Sequence, residues 1–107
     1  MSESSLPVES WDDAKDGPLS IENMKKKLES QGYHCTQYEF GPGTVFPDHD
    51  HSITKKDAIV SGRVRFTMNN KTVIMKPGDM LEVPKGVVHN AAVVGNEPVV
   101  FFDSTYN

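Results

Sequence analysis

The sequence predicts an all-β fold, an antiparallel sandwich or barrel preceded by one short helix. Three observations predict it. Beyond Gly32 the apolar residues recur with a period of two, as in Val64, Phe66 and Met68 set between Arg63, Arg65 and Thr67. Gly or Pro breaks fall every few residues, cutting that region into about seven or eight short strands. At 107 residues and with no internal repeat, the chain has room for one core. Strands this short and this evenly spaced fit antiparallel sheets, because parallel strands need a long crossover between them.

The elements follow in order. Residues 1–18 are polar, carry Pro7, Gly17 and Pro18, and read as an arm without regular structure ahead of a single domain over 19–107. Leu6, Val8 and Trp11 are the arm's apolar anchors, and Trp11 is expected to pack on its own domain or on a partner subunit. Ser20 is a good N-cap, Ile21, Met24 and Leu28 form one helical stripe, and Gly32 supplies the stop. Such a stripe is a docking face against a sheet. Tyr33 to Phe40 reads as a strand and Gly41-Pro42-Gly43 as a sharp turn. Lys56 to Ser61 leads through Gly62 into Arg63–Met68, and Asn69-Asn70 is the hairpin turn into Thr72–Lys76. Leu81 and Val83 alternate into Pro84, and His89 to Val94 is a further strand. Pro98–Ser104 closes the series, its Val-Val-Phe-Phe run implying burial on both faces.

Composition excludes several function classes. The net charge of −4 leaves no basic footprint for nucleic acid, and Lys25-Lys26-Lys27 is offset by Glu22 and Glu29 along one helix. Near either end the longest apolar run is Val99–Phe102, too short for a membrane span. Residues 1–10 lack the basic start and apolar stretch of a signal peptide, and the single Cys35 forbids an internal disulfide. A cytoplasmic protein is the expectation. Cys35 reads as a small strand residue and His34 as a surface histidine.

Chemistry concentrates in two segments, Gly43–Gly62 and Gly78–His89, which hold His49, His51 and His89. Imidazoles brought together from separate strands are a common way for a small barrel to hold a transition metal. The first segment fits G-x5-H-x-H-x3,4-E-x6-G at Gly43, His49, His51 and Gly62, and the second fits G-x5-P-x-G-x2-H-x3-N at Gly78, Pro84, Gly86 and His89. At these eight positions the chain resembles the cupin family, over about residues 33–104. The resemblance implies a jelly-roll barrel of two facing antiparallel sheets, with the motif histidines directed into its mouth. It also implies a homodimer, to which the arm and Trp11 would contribute.

The chain departs from that pattern at two places. Lysines stand at both positions open to the motif glutamate, Lys55 being the one in phase with Gly62, and Val93 stands where the second motif has asparagine. Asp57 is the nearest carboxylate and shares Lys55's side of the strand, but about 6.6 Å along it, too far to take the glutamate's place without a bulge.

These residues lead to a metal-binding cupin. His49, His51 and His89 would hold a divalent ion (Fe, Mn, Co, Ni, Cu or Zn). Lys55 would contact a small anionic or oxygen-rich ligand, and Asp57 would act as base in a metal-assisted dioxygenase, isomerase or lyase step. Tyr38, Phe40, Phe66, Met68 and Phe101 would shape the pocket. Two alternatives stay open: Lys55 and Asp57 as an ion pair that merely satisfies itself, and a metal-free module that binds or senses a small molecule without chemistry.

Overall fold

The structure, a computed structural model, describes residues 6–106; the reading of residues 1–5 as arm lies outside them. The described residues form α1 (Asp13–Asp16), α2 (Ile21–Ser30) and eight strands: β1 (Tyr33–Phe40), β2 (Val45–His49), β3 (Lys55–Ser61), β4 (Arg63–Met68), β5 (Lys71–Met75), β6 (Met80–Val83), β7 (His89–Val94) and β8 (Val99–Tyr106). They build two antiparallel four-stranded sheets, ordered β1-β8-β3-β6 and β2-β7-β4-β5. The sheets face one another as a jelly roll without closing into a continuous barrel.

Local chemistry sets the boundaries. The Ser20 hydroxyl accepts from the Asn23 amide at 3.0 Å and starts α2. Asn69 and Asn70 both adopt positive φ, 57° and 62°, the geometry of the tight primed turn that joins β4 to β5. The sequence reading had no strand at β2, because Pro47 interrupts it. Pro47 is tolerated there because β2 is an edge strand, where a missing N–H breaks no central ladder.

The sheet β1-β8-β3-β6 is covered on both sides, so its residues alternate between two cores. Ile59, Leu81 and Val99 turn inward between the sheets with Val64, Phe66 and Met75. Ala58, Met80 and Phe102 turn outward and meet Met24 and Leu28 of α2. This two-sided burial explains the continuous apolar run in β8. Burying Met24 and Leu28 completely contributes roughly 1.5–3 kcal/mol each.

The arm is more ordered than its composition suggested. Glu9 exchanges both backbone hydrogen bonds with Met80, at 2.7 and 2.8 Å, and so caps the otherwise open edge of β6. Asp12 accepts from the Ala14 amide at 3.0 Å and supports the single turn α1. Leu6 enters the inner core, while Trp11 packs beside the outer one and donates its indole N–H to the Gly17 carbonyl at 2.9 Å. Edge pairing and these apolar anchors outweigh the polarity of the neighbouring residues.

Gly62 tests the turn between β3 and β4. Its φ is +77°, and a Cβ placed there would collide with the Pro98 carbonyl oxygen and stand 2.7 Å from Val99 Cα. Gly86 has a similar φ of +80° but open space around it. Gly86→Ala should therefore cost only the backbone penalty of about 1–2 kcal/mol, and Gly62→Ala clearly more, as read from urea denaturation. Equal losses would contradict this account of the turn.

Candidate metal centre

Two strand ends and the loop after one of them meet at the mouth of the jelly roll. His89 opens β7, His49 closes β2 directly opposite it, and His51 follows two residues later. A bulge makes the pairing work: Phe46 opposes Ala91 and His49 opposes His89, so three steps along β2 match two along β7. In a regular strand Phe46 and His49 would face opposite sides. The extra residue at Pro47–Asp48 turns both side chains inward.

The rings converge. Centroids lie 4.2 Å apart for His49 and His89, 4.9 Å for His49 and His51, and 5.2 Å for His51 and His89. Their ligand nitrogens all lie within 4.8 Å of one another. Phe66 supports the arrangement by stacking on His89 at 5.5 Å. The backbone carbonyl of His51 accepts from the Gly86 amide at 2.8 Å, tying the first motif's loop to the second's.

Hydrogen bonding also decides the tautomers. His49 Nδ1 lies 2.7 Å from the Pro47 carbonyl oxygen, and His89 Nδ1 lies 2.9 Å from that of Val87. A carbonyl oxygen only accepts, so each Nδ1 carries the proton and each Nε2 keeps its lone pair for a ligand. Burial lowers the proton affinity of His51, with the nearby Lys55 charge adding to it. Burial does the same for His89. Both imidazoles are thereby held neutral at pH 7. Three neutral imidazoles suit a first-row divalent ion, and the residues present fit one. Among the described residues no carboxylate joins this cluster.

The charged residues are arranged differently from the sequence reading. Lys55 does face inward, but its ammonium pairs with Asp103, Nζ to Oδ2 at 3.0 Å, and not with Asp57. Asp103 of β8 stands directly across from Asp57 of β3, and their carboxyl groups share a hydrogen bond. Burial, followed by the Asp103 charge, raises the pKa of Asp57 well above the ordinary carboxyl value. Asp57 is thus the carboxyl that burial makes harder to ionise, and Asp103 is the partner of Lys55. The correction has a simple cause: Asp57 and Lys55 share a strand two residues apart, whereas Asp103 approaches from the neighbouring strand. Lys56 points to the outer side, where it donates to Glu9 at 2.7 Å and Gln31 at 2.8 Å.

A cavity of about 170 Å3 runs inward from the histidines. Tyr38, Phe40, Phe66 and Phe101 line it as anticipated, whereas Met68 is buried in the inner core and does not. The sequence reading missed Phe46, hidden with β2, and Asp103. Asp103 did leave a signal, as a carboxylate in an apolar strand with the parity of Phe101.

Comparison with known proteins agrees with this architecture. Residues 36–105 match the family model described as a cupin domain. The chain is similar to Germin-like protein 5-1 of Oryza sativa subsp. japonica, 31% identical over 85 residues, which are 72% of this chain and 37% of that protein. It therefore spans little more than a third of that relative's length. Its fold is similar to the Cnp3 cupin domain of Schizosaccharomyces pombe, with a TM-score of 0.65 at 21% identity over 71% of this chain and 56% of the other. It is similar also to a chain from the structures of the DMSP lyases RdDddP and RnDddQII, with a TM-score of 0.64 at 23% identity over 72% and 40% of the two chains. No described helix is long and apolar enough to cross a membrane. With both histidine motifs in place and the family match covering most of its length, the chain belongs to the cupin family.

Proposed function

We propose that this cupin holds a divalent transition metal through His49, His51 and His89 and admits a small oxygen-bearing or anionic molecule to the cavity behind it. The observation that carries this reading is the tautomer lock: Nδ1 of His49 and of His89 is committed to a backbone carbonyl, which leaves Nε2 of each free to ligate. When bound, the ion would supply Lewis-acid polarisation of a ligand oxygen, as isomerase, lyase or dioxygenase chemistry requires.

The chain's own residues supply the rest. Phe40, Phe46, Phe66 and Phe101 give the cavity apolar walls that exclude water. A 170 Å3 space suits a ligand near the size of a single ring, since an apolar cavity of about 150 Å3 takes up benzene. Lys55 gives one of its ammonium protons to Asp103 and keeps the others for a ligand oxygen. Asp57 holds a proton in the same cavity and is the group placed to deliver or receive one.

Three outcomes test this reading. Protein purified without chelator or nickel affinity should carry one equivalent of a first-row metal by elemental analysis, and His89→Ala should lose it; a metal-free wild type would sink the proposal. Lys55→Ala should weaken binding of a small carboxylate such as benzoate at least about tenfold, and unchanged binding would remove Lys55 from the ligand site. The third concerns pH. Because the folded state raises the Asp57 pKa, this group stabilises the fold below its unfolded value, and that contribution disappears as pH climbs through the folded value. Asp57→Asn keeps a donor for Asp103 without the ionisation. In chelator it should match wild type near pH 4 and become progressively more stable than wild type towards pH 8, by urea midpoint. A variant less stable across the whole range would contradict the assignment of the proton to Asp57.

A further inference from the structure

A cation already stands beside the cavity that would bind another. Lys55 shares Asp57's side of β3, and its ammonium lies 3.0 Å from Asp103, which lines the cavity together with Asp57 and the three histidines. An ammonium and a dication sharing a partly dry space repel, twice as strongly as two unit charges would. Something must hold Lys55 back.

We propose that Asp103 is the positioning residue that anchors the Lys55 ammonium away from the three imidazoles and cancels its charge, so that a dication can be held beside a lysine. The inference rests on the metal reading above and adds a residue to it. The 3.0 Å contact is sheltered, with the Lys55 and Asp103 side chains only 19% and 24% exposed, so water screens it less than a surface pair. The pair sets one anion against one cation on this wall, so the ammonium's charge is offset where it stands. Asp57 in turn shares a hydrogen bond with Asp103 from the neighbouring strand, fixing the carboxylate that fixes the lysine. No bond changes are involved; the role is electrostatic and geometric.

The test is a Zn2+ titration of the full chain against a chromophoric competitor, for wild type, Asp103→Asn, Lys55→Met and the double variant, with thermal unfolding in chelator as a folding control. Asp103→Asn should weaken Zn2+ about 10- to 100-fold, the range for loss of a group that supports metal ligands. Adding Lys55→Met should restore binding to near wild type, because the freed ammonium is then gone. Lys55→Met alone should bind at least as tightly as wild type, and this arm decides the matter should Asp103→Asn fail to fold. Unchanged affinity in Asp103→Asn overturns the proposal. So does a double variant as weak as Asp103→Asn, which would make Asp103 a ligand or a folding residue, and so does weaker binding by Lys55→Met. A wild type that takes up no Zn2+ overturns the metal reading as well, whereas a wild type that binds while the variants misbehave overturns this inference alone.

Discussion

Two imidazoles are aimed by one repeated device. His49 and His89 each donate Nδ1–H to the carbonyl two residues earlier in the chain, Pro47 and Val87 respectively. Each bond fixes a ring orientation and a tautomer together, so backbone geometry at two strand ends becomes metal-site geometry. The bulge in β2 makes the device effective, because without the extra residue His49 would face away from His89. Phe66, stacked on His89 at 5.5 Å, then supports the more buried ring on its face.

The sheet β1-β8-β3-β6 separates two kinds of work by parity alone. On β3, Asp57 lines the cavity and Lys55 shares its side, paired to Asp103, while Lys56 and Ala58 look toward α2. Adjacent lysines consequently have unrelated roles. Lys55 belongs to the candidate site. Lys56 fastens Glu9, whose backbone caps β6, and lies 5.6 Å over the Tyr33 ring. Gly78 admits the arm at a second point, since a Cβ there would stand 2.7 Å from Cβ of Trp11. The outer layer thus steadies the strands whose inner faces carry the charged triad.

Much of this was legible in the residues because motif spacing records strand register. Gly43, Gly62, Gly78 and Gly86 all take positive φ in the structure, so each motif glycine marks a place where the chain turns between strands. The helix from Ser20 and the strand Tyr33–Phe40 were legible for the same kind of reason, a cap and a clean period. What escaped depends on partners distant in sequence. Asp103 joins the site only through its pairing with Asp57, a relation no local pattern encodes. Strand β2 was hidden by a proline whose tolerance depends on an edge position, and the Glu9–Met80 bridge consists of a single residue pair.

The site combines a lysine at the position of the motif glutamate with a compensating aspartate on the next strand. This pairing would leave the holding of a metal to nitrogen alone. X-ray absorption of the metal-loaded protein addresses that point directly, because imidazole rings leave a distinct multiple-scattering signature. The account predicts a first shell containing three imidazole nitrogens, with light oxygen ligands from solvent completing it. A shell with fewer than two imidazoles would contradict it, since the converging ring nitrogens would then not be what holds the ion.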